Sequence, residues 1–75
     1  MMTLELADAE YEIADQIEDA LKAADANGLT PSLAARKAKT DTHTARRVLD
    51  YLVDHQYAHT SGNGAWTHYH AGRGR

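Results

Sequence analysis

The stretch RKAKTDTHTARR, residues 36–47, gathers the side chains of this chain best suited to hold an anion. It contains five of the eight Lys and Arg residues, together with Thr40, Thr42, Thr44 and His43, against the single acid Asp41. Arginine offers a rigid fork of donors that fits phosphate or a paired acceptor edge, lysine a mobile point charge, and threonine a short hydroxyl. That set can neutralise and orient an anionic partner. It is not a catalytic set, because the chain shows no nucleophile–base pair and no phosphate-cradling loop, so neither an enzyme nor a cofactor is expected. With no cysteine, a disulfide framework and a thiolate zinc site are both excluded. His59, His68 and His70 could share one face of a hairpin, and zinc accepts three imidazoles. No acid stands near them to fix their tautomers, so they are expected to be polar strand residues and no metal is expected.

The charge of −3 conceals an asymmetry. Residues 1–27 carry eight acids against Lys22, a charge of −7, whereas residues 28–75 carry seven bases against Asp41, Asp50 and Asp54, a charge of +4. All five histidines lie in the second part. A domain with one acidic and one basic wall suits an anionic partner on the basic side. Lysine is scarce at 3, Asp exceeds Glu by 7 to 4, and Ala and Thr abound, a bias that resembles proteins of salt-loving archaea.

These side chains need a scaffold, and 75 residues allow one small domain, 1–75, with a thin core. Eleven large aliphatics are supplemented by fourteen alanines. No apolar run approaches the roughly 20 residues of a membrane span. The N-terminus MMTLELADAE lacks a basic-then-apolar leader pattern. A cytoplasmic location with no membrane contact is the expectation.

Residues 4–26 predict a helix whose apolar stripe holds Leu6, Ala9, Ile13, Ile17, Ala20, Leu21 and Ala24. Thr3 or Asp8 would cap it, and Asn27-Gly28 would end it. Thr30-Pro31 opens a second helix, 31–38, with Leu33, Ala34 or Ala35, and Ala38 turned inward. Asp41 or Thr40 caps a third, 41–56. Its buried stripe of Ala45, Val48, Leu49 and Leu52 spans about 60° on either side of Ala45. His43, Arg47, Asp50 and Asp54 occupy the opposite face, with Arg46 on one flank and Thr44 and Tyr51 on the other. Arg47 should then protrude farthest of the bases. A bland reading stands beside this one: Arg46 and Arg47 could pair with Asp50 at i,i+4 and i,i+3, as on many solvated helix faces. Residues 57–70 read as a hairpin turning at Asn63-Gly64. A two-residue turn there places His59 opposite His68 and Tyr57 opposite His70. Trp66 and Tyr69 are three apart, so one closes the core and the other lies on the hairpin surface. The tail 71–75, AGRGR, has nothing to pack and is expected to be mobile.

Helix, short helix, tight turn, helix, hairpin is an order that resembles the winged helix-turn-helix family over about residues 6–70. The sharpest part is SLAARKAKTDTHTARRVLDYLVDHQYAHT followed by the glycine-rich hairpin. Asp41 takes the place of the helix cap, Arg46-Arg47 of the basic pair, and Leu49-Asp50-Tyr51-Leu52 of the core stripe. Two positions depart from the pattern: Lys39 stands in the turn where glycine is usual, and Gln56 where glycine often ends the third helix. The resemblance implies an α+β, mainly α, three-helix fold with a C-terminal β-hairpin wing.

The resemblance also implies sequence-specific binding of double-stranded DNA, with the third helix in the major groove and a role as a small transcriptional regulator. Thr42, His43, Thr44, Arg46 and Arg47 would face the groove. Lys37 and Lys39 would flank them at the phosphates. Asn63 of the wing, with His68, Arg73 and Arg75, would add contacts. A Z-DNA-binding winged helix uses an Asn and a Tyr spaced four apart; the matching positions here are Arg46 and Asp50, which argues against that subgroup. A homodimer on a two-fold site is expected, with residues 4–26 as a seam in which Leu4, Leu6 and Tyr11 lie beyond the internal stripe. The alternative is a winged-helix protein–protein interaction module without DNA binding, whose partner would use the same helix.

Overall fold

The computed structural model describes residues 6–24, 27–62, 64 and 67–72. Thr3, Leu4, Asn63, Trp66, Arg73 and Arg75 lie outside the described residues. Three helices, α1 (Asp8–Ala24), α2 (Pro31–Lys37) and α3 (Thr42–Asp54), are followed by the antiparallel strands β1 (Ala58–Ser61) and β2 (His68–Ala71). The fold is α+β, mainly helical and winged-helix-like.

Each helix start has a local cause. At α1 the cap is not Asp8, and Thr3 lies outside the described residues. The helix begins at Asp8, and the Ala7 N–H donates to Glu10 Oε1 at 2.8 Å, half of a capping box. Asp8 and Glu10 sit in the first turn, where the helix dipole favours acids. Thr30 caps α2 by accepting the Leu33 N–H at 3.3 Å, and Pro31 fills the first turn. Asp41, rather than Thr40, caps α3, its Oδ1 accepting the Thr44 N–H at 2.7 Å.

The helix ends explain both departures from the family pattern. Lys39 (φ 56°) and Gln56 (φ 64°) are the described non-glycine residues in the left-handed region. After α2 the Thr40 N–H reaches Ala35 O at 2.9 Å and the Lys39 N–H reaches Arg36 O at 3.4 Å. After α3 the Tyr57 N–H reaches Leu52 O at 2.8 Å and the Gln56 N–H reaches Val53 O at 3.0 Å. Both ends are therefore Schellman motifs, closed by a side chain where glycine is the low-strain choice.

The core joins Ile17 and Leu21 of α1 to Val48, Leu49 and Leu52 of α3, the largest fully buried side chains. Ala34, Ala35 and Ala38 face Ala45, and their small size lets α2 and α3 approach closely. Three packing expectations change. Ala14 joins the buried stripe of α1 while Ala9 is exposed, because α1 packs against α2, α3 and β2 together. Leu33 is exposed, since the seven-residue α2 has only its alanine face covered. Leu6 is buried just before α1 and is not part of an outer seam, whereas Tyr11 is exposed. Of the two hairpin aromatics, Tyr69 enters the core, and Trp66 lies outside the described residues.

Tyr69 also anchors the sheet. Its N–H and C=O exchange bonds with Leu29 at 2.7 and 2.8 Å, a single bridge that ties the α1–α2 link to β2. Gly28 precedes that bridge at φ +68°. A Cβ there would stand 2.8 Å from Tyr69 O and 2.6 Å from the His70 ring, so only glycine fits.

The hairpin register is Ala58↔Ala71, His59↔His70, Thr60↔Tyr69 and Ser61↔His68. It is displaced by two residues from the expected pairing of His59 with His68 and Tyr57 with His70. The chain leaves β1 at Gly62 (φ 76°), so the connection runs over residues 62–67 instead of a two-residue turn. A displacement of two preserves the faces: Ala58, Thr60, Tyr69 and Ala71 share one, the histidines the other. The longer pairing also brings Ala71 into β2, and the Gly72 N–H donates to Tyr57 O at 2.8 Å, so the expected loose tail does not begin at residue 71.

Candidate nucleic-acid interface

The amino-terminal turns of α3 present Thr42 and His43 to solvent, and Thr44 is half-buried beneath the cap. Asp41 spends its charge on this turn: the Thr44 N–H holds its carboxyl below the usual carboxylate range. The acid nearest Thr42, His43 and Thr44 is thus committed to the helix end.

Tertiary packing separates the two arginines. Arg46 lies toward the hairpin, where it lines a cleft of about 350 Å³ with Pro31, Asp50, Gly64, Thr67 and Tyr69. Arg47 lies toward α1, its guanidinium 3.5 Å from Glu10 Oε1, with about half of its side chain exposed. Glu10 is the same carboxylate that caps α1. The expectation that Arg47 protrudes farthest is therefore corrected, because adjacent helical positions diverge by about 100° and α1 fills the space on the Arg47 side. The alternative in which both arginines pair with Asp50 is not what the helix adopts, since Arg47 meets Glu10. Asp50 Oδ1 instead accepts a long hydrogen bond, 3.4 Å, from the Tyr69 hydroxyl. Burial, then the Asp50 charge, push the Tyr69 hydroxyl pKa up.

The remaining candidates divide by location. Lys39 is exposed in the turn leading into α3. Lys37 is exposed but lines a separate groove with Ala20, Ala24, Asn27 and Leu29 at the carboxyl end of α1, where that helix terminus favours a cation. His68 is half-buried on the outer face of β2. Asn63 and Arg73 lie outside the described residues. Sequence reasoning missed Thr67 beside Arg46 and the Tyr69–Asp50 contact; neither Thr67, just before β2, nor Tyr69 within it gave a local sign that it would meet α3. It also missed Glu10, whose partner is 37 residues away in the chain.

On the outer face of the hairpin His59 and His70 stack with centroids 5.1 Å apart. His59 Nδ1 lies 2.9 Å from Gly72 O, and His70 Nε2 lies 2.7 Å from Ser61 Oγ. Among the described residues no group of three His, Asp or Glu side chains is arranged to hold a metal ion. No described helix is long and apolar enough to cross a membrane.

No protein-family model matches the chain, and comparison with curated proteins and with solved structures returned no match.

Proposed function

We propose that this chain is a small winged helix-turn-helix protein that binds double-stranded DNA with α3 in the major groove and acts as a sequence-specific regulator. The observation that carries the reading is the placement of Arg46. It projects from the second turn of a capped helix, behind exposed Thr42 and His43, into a cleft shared with the hairpin. A helix led by short polar side chains, with a forked donor one turn in and a β-hairpin beside it, has the parts for reading base edges and gripping the flanking backbone. Lys39 adds a phosphate contact at the entry to α3. Arg47 is not counted among the base contacts: its guanidinium is held 3.5 Å from Glu10, whose side chain is only 15% exposed.

Titration with pooled duplex DNA at two salt concentrations tests the proposal. Each neutralised phosphate contributes a slope of about −0.9 in log K against log salt. A flat salt response, or no binding at low salt, refutes it. Binding as a homodimer to a two-fold site is tested by sedimentation with and without duplex. The rival reading, a winged-helix interaction module without DNA, draws on one observation: a line of aromatic rings on the α1 side of α3 that is exposed at its two ends.

A further inference from the structure

Four rings form a continuous line from α1 across α3 to Tyr57, three residues beyond its end. Tyr11 meets Tyr51 edge-on at 6.0 Å, Tyr51 meets His55 at 4.3 Å, and His55 stacks on Tyr57 at 6.0 Å with 10° between the planes. A core cluster would hide such rings. Here the two ends stay open, with Tyr11 44% and Tyr57 51% exposed. Tyr11 lies outside the buried stripe of α1, and Tyr57 is set by the Schellman motif after α3.

The surroundings are acidic. Asp15 lies one turn beyond Tyr11 and Asp54 one turn beyond Tyr51, both exposed. Glu18 is close enough to act on the Tyr51 hydroxyl. Arg47, at the α3 end of the line, is already engaged by Glu10. Phosphate would be repelled here. A two-fold pairing with a second copy would set Asp15, Glu18 and Asp54 against themselves.

We propose that this ring line is a docking surface for an arginine-rich segment of a protein partner. A guanidinium stacks on an aromatic face while its donor fork takes a carboxylate, and tyrosine faces rimmed by Asp and Glu supply both. The surface is separate from the Arg46 cleft. Arg46 and Tyr51 leave α3 on opposite flanks, one toward the hairpin and the other toward α1, so DNA and the segment can be held together. The inference does not rest on the DNA reading.

The test titrates oligoarginine and oligolysine peptides of equal length into the isotope-labelled full chain. Saturable binding is expected, with shifts centred on Tyr11, Tyr51 and Tyr57 and tighter binding of the arginine peptide. The double variant Tyr11→Ala, Tyr57→Ala should weaken that binding about five- to thirtyfold, the loss of two exposed cation–π contacts. DNA titration of the same variant should be unchanged. Tyr57→Ser alone keeps the test decisive if the double variant is destabilised. Absence of binding, equal affinity for the two peptides, or insensitivity to loss of the tyrosines overturns the proposal. Self-association relieved by Tyr57→Ala also overturns it and assigns the line to a second copy of the chain.

Discussion

Replacing Lys39 with glycine should make the protein more stable and a poorer DNA binder. Lys39 holds φ 56° to close the Schellman motif after α2, and the bonds that define the motif are backbone bonds. The left-handed region costs an L-residue roughly 1–2 kcal/mol. Glycine removes that cost but adds roughly 0.5–1 kcal/mol of chain entropy to be lost on folding. The net gain is about 0.5–1 kcal/mol, or about 2–8 °C in Tm for a domain of this size. Gln56→Gly, at φ 64° and also exposed, should give a similar gain. The two sites bracket a 13-residue helix about 20 Å long, so their effects should add. DNA binding separates them. Lys39→Gly should flatten the salt slope by about 0.9, one phosphate contact, whereas Gln56→Gly should leave it unchanged. Urea and thermal denaturation followed by circular dichroism, paired with DNA titrations across salt, measure both effects. A Lys39→Gly variant less stable than wild type would refute the strain argument. An unchanged salt slope would remove Lys39 from the interface.

Gly28→Ala should destabilise by roughly 2–3 kcal/mol, combining a left-handed alanine with a Cβ 2.8 Å from Tyr69 O; urea denaturation gives the value. Asp41→Asn keeps a capping side chain but removes its titration. Because the folded pKa of Asp41 is lowered, its contribution is present above the ordinary carboxylate value of about 3.9 and is lost as pH falls through the lower folded value, so acid unfolding of the variant should be less steep below about pH 4 than that of wild type. Arg46→Ala should cost roughly 1–3 kcal/mol of specific DNA affinity and Arg47→Ala less, with the stability of Arg46→Ala within about 0.5 kcal/mol of wild type; the reverse order in a binding assay would place Arg47 at the base edge.

Much of the scaffold was legible because it is enforced over three or four residues. Thr30-Pro31 and Asp41 announce helix starts through hydrogen bonds to the residue three positions on, and those bonds are present. The stripe of Ala45, Val48, Leu49 and Leu52 follows from helical period alone, and all four are buried. Gly28 was legible as a left-handed position, because glycine is the low-strain residue there, and it holds φ 68°. The faces of the hairpin were also legible, since alternation survives a displacement of two.

Tertiary structure decided whatever depended on a partner far along the chain. Whether Arg46 or Arg47 met an acid was set by Glu10, which α1 brings across α3. Leu33 lost its place in the core because α2 is covered only along its alanines. The strand register was set by the start of the turn at Gly62 and by the Leu29–Tyr69 bridge, neither of which a hairpin pattern contains. Lys39 and Gln56 carry no sign of a left-handed backbone in their side chains. They adopt it because close packing of α2, α3 and the hairpin outweighs a local cost of roughly 1–2 kcal/mol at each position.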